Sequence, residues 1–171
     1  MVTLKKVLVA TDFGEASAAA LRYGREIASA FGAKLHLLHV TEDLALTAFS
    51  GVEGYATFPG AIQEDIDRAE RQQTEALLTE NDRRSLNAEA VTLTSDRTAG
   101  TIVEYARRNA IDLIVLGTHG RRALSRLMTG SVAERVVRTA PCPVLTVHSL
   151  QHEFVAPDVD VDVATQSDAV R

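Results

Sequence analysis

The sequence predicts a single α/β domain built around a five-stranded parallel sheet. Short continuous apolar runs, the clearest at residues 6–10 and 112–117, are typical of strands that are buried on both faces. Segments with apolar residues at three- and four-residue spacing lie between these runs and predict helices. Strands that alternate with helices indicate a parallel sheet with right-handed crossovers and helices on both faces. The length of 171 residues suits one such domain.

The ends of the predicted elements carry residues that stop helices and strands. Gly32 follows the first helix, whose last inward residue is predicted to be Phe31, at the position that favours a positive φ. Pro141 and Pro143 are acceptable only before or at the start of the last strand, because proline cannot donate to the ladder. We expect strands at residues 6–10, 34–40, 88–94, 112–117 and 141–147, and helices at residues 15–31, 61–86, 99–109 and 130–136.

The third predicted element is one long charged helix, over residues 61–86. Its inward positions, chosen because they are apolar, are Ile62, Ile66, Ala69, Ala76, Leu77 and Leu86.

Two segments fall outside the alternation of strands and helices. Residues 41–60 form a long connection, which is uncommon inside a compact domain unless it acts as a lid or a binding loop. Residues 150–171 hold five acidic side chains against Arg171, and valine alternates with aspartate there. We therefore expect a domain over residues 1–149, followed by an acidic tail that is either disordered or an added strand.

Composition excludes several classes of protein. The net charge of −5 is concentrated in the acidic tail, which makes the chain a poor match for nucleic acid. No apolar run approaches the roughly 18–20 residues that span a bilayer. Cys142 is the single cysteine, so no internal disulfide can form, and a reducing cytoplasmic setting fits the lack of a signal-peptide pattern at the start.

Sequence signatures of several enzyme classes are absent. The three lysines do not follow glycine, so there is no P-loop, and neither G-x-G-x-x-G nor G-x-S-x-G occurs. His36 and His39 are three residues apart on a predicted strand, which places them on opposite faces and argues against a shared metal. We therefore name no catalytic residue and no protein-borne metal site.

Polar and glycine-rich segments follow the first and fourth predicted strands. Parallel α/β sheets bind ligands beyond the carboxyl ends of the strands, where the strand order reverses. Thr11 and Asp12 follow the first strand, and Gly117 begins the longer pattern Gly-x2-Gly-x9-Gly-Ser, which ends at Ser131. Ser131 would begin a helix, whose N-terminal N–H groups favour an anion. Together these features predict a phosphate cradle.

These residues carry a resemblance to a known family. The runs at residues 7–12, 112–121, 130–133 and 140–145, together with the complete glycine-serine spacing, resemble the ATP-binding subgroup of the universal stress proteins. The similarity covers roughly residues 2–148. It implies the strand order 3-2-1-4-5, and a homodimer formed through the strand Val144–Val147.

The resemblance also implies a role for individual residues in binding ATP. Ala10, Thr11 and Asp12 would contact the adenosine, and Val40 would offer backbone groups to adenine. Leu116, Gly117, His119 and Gly120 would line the ribose and the first phosphate. Gly130, Ser131 and Val132 would hold the outer phosphates, together with Mg or Mn. Independently of the resemblance, the guanidinium groups of Arg121, Arg122 and Arg126 could pair with phosphate oxygens, and a solvated arginine-rich loop is the alternative.

Three functions stay open at this point. The first is an ATP-binding stress-response or signalling protein, with slow hydrolysis left open because no general base can be named. The second is a non-catalytic interaction module of the same fold that works through its dimer surface or acidic tail. An enzyme that transfers adenylate is the third and weakest, since the fold permits it but does not imply it.

Overall fold

The computed structural model describes residues 2–43, 59–118 and 131–148, without the side chains of residues 59–61. It confirms the five-stranded parallel sheet and the order β3-β2-β1-β4-β5. The strands are β1 Lys6–Thr11, β2 Lys34–Thr41, β3 Glu89–Thr94, β4 Leu113–Gly117 and β5 Val144–Val147. Pro141 and Pro143 precede β5, as their missing N–H groups require.

The helices divide between the two faces of the sheet. They are α1 Glu15–Phe31, α2 Pro59–Ala76, α3 Glu80–Ser85, α4 Thr98–Arg108 and α5 Ser131–Thr139. α1 packs on the odd-numbered side chains of β1, and α2 lies on the same face. α4 and α5 cover the other face. β1 is central, and its Val7, Leu8 and Val9 have no exposed surface.

The single helix predicted over residues 61–86 is wrong, because the structure has two helices there. Thr79 caps α3 with a reciprocal pair of hydrogen bonds: its hydroxyl accepts from Asp82 N (3.1 Å), and the Asp82 carboxylate accepts from Thr79 N (2.8 Å). This capping box starts a new helix. The sequence contains the Thr-x-x-Asp signal, which the apolar pattern obscured.

Several of the inward positions predicted from apolar spacing are also wrong. Ile62 is 50% exposed and Phe31 is 46% exposed, whereas Thr74 is fully buried. The side of α2 that faces the sheet is largely polar, so a search for apolar residues chooses the wrong side of this helix. Leu86 is buried, as predicted.

Ion pairs and charged hydrogen bonds gather at the amino ends of the strands. The Asp112 carboxylate accepts from the backbone N–H groups of Lys5 (2.7 Å) and Lys6 (3.0 Å). Arg25 of α1 reaches the buried Asp82 at 2.9 Å. Burial raises the pKa of Asp82, but the hydrogen bonds from Arg25 and Thr79 outweigh it and hold that pKa below its ordinary value. This end of the sheet ties α1 and α3 to the strands.

The segments that carried the lid and tail predictions lie largely outside the described residues. β2 extends to Thr41 and α2 begins at Pro59, so the connection between them is shorter than predicted from the sequence. The tail over residues 150–171 and the domain limit at residue 149 stay predictions.

Candidate functional site

The predicted site lies where the strand order reverses. β1 pairs with both β2 and β4, and Ala10 is in register with Leu116. The chain leaves β1 towards β2 on one side and leaves β4 towards β5 on the other side. The turn after β1 and the end of β4 are therefore neighbours at the crevice where α/β sheets bind ligands.

The turn after β1 is held by its own side chains. Thr11 Oγ1 accepts from Phe13 N (3.1 Å), and Asp12 Oδ1 accepts from Gly14 N (3.0 Å). Ser17 Oγ donates to Gly14 O (2.9 Å), which leaves its oxygen to accept from the Thr11 hydroxyl at 3.2 Å. Phe13 has a positive φ of 62°, a conformation that bulky residues rarely adopt. The local hydrogen bonds hold this strained turn in place.

Gly117 is required by packing between α1 and β4. A Cβ atom at Gly117 would lie 2.6 Å from the carbonyl carbon of Ala16 and 2.8 Å from Ser17 N. Both atoms belong to the backbone of the first turns of α1, so they cannot move aside cheaply. The glycine lets the start of α1 lie directly against the end of β4, which brings the turn after β1 close to Gly117.

His39 links the turn after β1 to α2. Its Nδ1 lies 2.8 Å from the carbonyl oxygen of Thr11, and its Nε2 lies 2.9 Å from a carboxylate oxygen of Glu70. The ring centroids of His39 and Phe13 are 4.2 Å apart. His39 is only 7% exposed, so these contacts are largely shielded from water.

Thr118 fixes the chain as it leaves β4. Its backbone N–H donates to Val147 O (3.0 Å), and its hydroxyl lies 2.6 Å from Nδ1 of His148. Thr118 is 1% exposed. Thr118 is therefore tied to the end of β5 where the chain leaves β4.

Comparison with known proteins decides the family. The model of the universal stress protein family matches residues 3–148. The chain belongs to the universal stress protein family. A relative from Thermus aquaticus, the universal stress protein in the QAH/OAS sulfhydrylase 3′ region, is 33% identical over 84% of this chain and 98% of its own.

Solved structures of this family share the fold. The universal stress protein UspA from Lactobacillus plantarum superposes with a TM-score of 0.64, at 26% identity over 86% of this chain and 99% of its own. A universal stress protein in complex with cAMP has a TM-score of 0.55, at 24% identity over 86% of this chain and 99% of its own. A universal stress protein from Archaeoglobus fulgidus in complex with dAMP has a TM-score of 0.50, at 19% identity over 86% of this chain and 99% of its own.

In this universal stress protein, the described residues that were predicted to bind ATP lie at the carboxyl ends of three strands and at the start of α5. Ser131 is the first residue of α5, as predicted, and its side chain is exposed. The ends of the strands hold Ala10, Thr11, Asp12, Val40, Leu116 and Gly117. The predicted residues His119, Gly120, Arg121 and Gly130 lie outside the described residues.

Sequence reasoning missed three polar residues that shape this region of the universal stress protein. Ser17 braces the turn after β1 from α1, and His39 and Glu70 brace it from β2 and α2. His39 carried a weak signal, because it stands at the end of a strand with its side chain on the α1 face. Glu70 carried none, since α2 was predicted with another side inward.

Within residues 2–43, 59–118 and 131–148, no three His, Cys, Asp or Glu side chains are grouped to hold a metal ion. His36 meets Tyr105 of α4, whereas His39 meets Glu70 of α2, so the predicted opposite orientation of the two histidines is confirmed. None of the described helices has the length and apolar character needed to cross a bilayer.

Proposed function

We propose that this universal stress protein binds adenine nucleotides, including ATP, at the carboxyl ends of β1 and β4. The observation that carries the proposal is the braced turn at Thr11–Gly14 beside Gly117, at the reversal of strand order. Two neighbours of the same fold are described with cAMP and with dAMP, which supports an adenine nucleotide as the ligand class. In this proposal, nucleotide occupancy makes the protein a stress-response or signalling module.

The nucleoside end of the ligand would meet β1 and β2. The carboxylate of Asp12, which accepts from Gly14 N, would accept from ribose hydroxyl groups. Ala10 and Thr11 would line the adenosine, and the backbone of Val40 would face adenine. Leu116 and Gly117 would border the ribose and the first phosphate, followed in the chain by His119, Gly120 and Arg121.

The outer phosphates would meet the N-terminus of α5. Its first N–H groups and the positive end of its dipole suit an anion, and Ser131 and Val132 open the helix after Gly130. Mg or Mn would be held mainly by the phosphates, as is usual for nucleotide sites, and no cluster of metal ligands is needed among the described residues. The cation would neutralise phosphate charge and fix its geometry.

The charge of the outer phosphates gives a direct test. Ser131→Glu places a carboxylate at the start of α5, so we expect ATP affinity to fall at least about tenfold while AMP affinity changes less, since AMP lacks the outer phosphates. Isothermal titration with Mg-ATP and with AMP measures both. Thr139→Glu adds the same charge at the far end of the same helix and serves as the matched control.

The outcomes distinguish nucleotide binding from an interaction module that works without nucleotide. Nucleotide released from denatured, freshly purified protein and identified by mass would support binding. If the wild-type protein bound neither ATP nor AMP at millimolar concentration, or if Ser131→Glu matched Thr139→Glu, the phosphate cradle would be wrong.

The second candidate function is an interaction module without nucleotide, favoured by the acidic segment at residues 150–171. Both candidates include a homodimer. β5 lies at the edge of the sheet, and Val144, Leu145 and Thr146 are only half-buried in one chain, so a second copy could pair along this strand. Size-exclusion chromatography with light scattering tests the dimer.

A further inference from the structure

We propose that His39 is a positioning residue for the nucleotide site, because it fixes the turn after β1 between β2 and Glu70 of α2. The inference rests on the proposed function. It assigns to His39 and Glu70 a part in binding although neither residue lies in the phosphate cradle.

The partners of His39 fix the place of its protons. The Thr11 carbonyl can only accept a hydrogen bond, so Nδ1, at 2.8 Å from it, must carry a proton. Nε2 then faces the Glu70 carboxyl group at 2.9 Å, and one further proton is shared across that contact, on either the ring or the carboxyl group. Both nitrogens of the ring are thus used, one towards the site and one towards α2.

The contact with Thr11 completes the bracing of the turn. The Thr11 side chain is held by Ser17 and by Phe13 N, whereas its backbone carbonyl is held by His39. The His39 ring also packs against Phe13, whose positive φ needs support from its surroundings. Without His39, the turn keeps its hydrogen bonds to α1 and loses the two contacts that the His39 ring makes with Thr11 and Phe13.

Precise placement of this turn matters because Asp12 lies within it. Binding groups work when they are held within about 0.5 Å of the productive geometry by their neighbours. A turn that is braced on one side only would place the Asp12 carboxylate less sharply, and affinity would fall although Asp12 itself is unchanged.

His36 provides a matched control on the same strand. It is also buried, at 2% exposure, and its ring also makes polar contacts, with Tyr105 and Glu89. Its contacts lie on the other face of the sheet, near the amino end of β3, and none of them touches the turn. Replacing His36 tests the cost of losing a buried histidine without disturbing the site.

The experiment measures Mg-ATP affinity by calorimetry and the thermal midpoint for the full-length wild-type protein and four variants. We expect His39→Leu to weaken binding about tenfold, which equals about 1.4 kcal/mol. His39→Asn keeps a donor near the Thr11 carbonyl, so we expect its Mg-ATP affinity to fall at most about threefold. The loss of affinity in Glu70→Ala should lie between those of His39→Asn and His39→Leu. The Mg-ATP affinity of His36→Leu should stay within about twofold of that of the wild type, even if its thermal midpoint is lower.

A second readout does not depend on nucleotide. Nitrogen-15 NMR of the histidine rings should show a proton on Nδ1 of His39, and Glu70→Ala should shift the Nε2 resonance of that ring.

The outcomes are distinct. Weakened binding in His39→Leu, with rescue by asparagine and an unaffected His36→Leu, supports the positioning role. If His39→Leu and His36→Leu weaken binding equally, or neither does, or Nδ1 of His39 carries no proton, the role is refuted and the proposed function stands. If the wild-type protein binds no adenine nucleotide, the proposed function fails and this inference fails with it.

Discussion

β2 places two buried histidines three residues apart, and their surroundings differ in a way that separates the two ends of the sheet. At the carboxyl end, both nitrogens of His39 have partners. Towards the amino end, Nδ1 of His36 lies 2.9 Å from the Tyr105 hydroxyl, but its Nε2 is buried with no hydrogen-bond partner among the described residues. The His39 ring connects the turn after β1 to α2, whereas the His36 ring is buried between the sheet and α4.

The electrostatics of His36 follow from that enclosure. Burial lowers the pKa of His36, and the neighbouring Lys34 and Lys6 lower it further, against the opposing effect of Glu89. Burial and the Glu89 carboxylate together raise the pKa of Tyr105 to about 12, so its hydroxyl stays protonated and donates to Glu89. Protonating His36 would leave a buried N–H without an acceptor.

The two ends of the strands also differ in the contacts that they make. Charged groups at the amino ends have partners that are far away in sequence and hold helices to the sheet, as Arg25 and Asp82 do. The carboxyl ends present turns and backbone groups, with α1 placed close by Gly117. The following predictions test this difference, and the first concerns the carboxyl end.

The largest expected effect is that of Gly117→Ala. The added Cβ would lie 2.6 Å from the Ala16 backbone, so α1 must shift, and we expect a loss of about 3 kcal/mol in the free energy of unfolding. Urea denaturation measures it. Gly100→Ala in α4 is the control, because the nearest described atom to its Cβ would be Arg97 Cβ at 3.8 Å, an ordinary contact, and we expect a gain of up to about 1 kcal/mol. Equal effects for the two variants would refute the close approach of α1 and β4.

The next effect, at the amino end, is that of Asp82→Ala. It removes the carboxylate that accepts from Thr79 N in the capping box of α3, and it leaves Arg25 without its partner, so we expect a loss of about 2 kcal/mol at neutral pH. Because the pKa of Asp82 is lowered in the folded protein, its contribution is complete above the unfolded value of about 3.9 and is lost as the pH falls through the folded value.

Urea denaturation at neutral and acid pH checks this dependence. Asp96→Ala is the control, because Asp96 is exposed, and we expect it to lower the free energy of unfolding by less than about 0.5 kcal/mol. An Asp82→Ala loss that did not shrink in acid would contradict the assigned ion pair.

The smallest effect is the pH response of His36→Leu. Because the folded pKa of His36 lies below its unfolded value of about 6.5, the unfolded chain binds a proton that the folded chain does not, and stability falls as the pH drops below that value. Removing the ring should flatten this decline, with a change of at most about 1 kcal/mol at neutral pH.

Denaturation midpoints at about pH 7 and about pH 5 test the response of His36. Glu89, whose pKa is also lowered, titrates in a more acidic range, and Tyr105, with its pKa raised to about 12, keeps its proton across this window. An unchanged slope in His36→Leu would show that His36 does not carry the acid sensitivity.

Much of the fold could be predicted because its signals are local. Continuous apolar runs such as the one through Val7, Leu8 and Val9 marked the buried strands, and the two-residue period of a strand placed His36 and His39 on opposite faces. The strand order came from a family resemblance whose residues are visible in the chain. The inward side of α2 was predicted wrongly, because the side that faces the sheet carries Glu70 and Thr74.

The sequence by itself determined the five strands, their parallel arrangement and the position of the candidate site at the ends of β1 and β4. Only the tertiary structure decided how that site is held. His39 meets Thr11 and Glu70 at separations of 28 and 31 residues, and Gly117 is a glycine because α1 arrives beside it. Such contacts depend on strand register and on the distance between packed elements, which no local pattern of residues encodes.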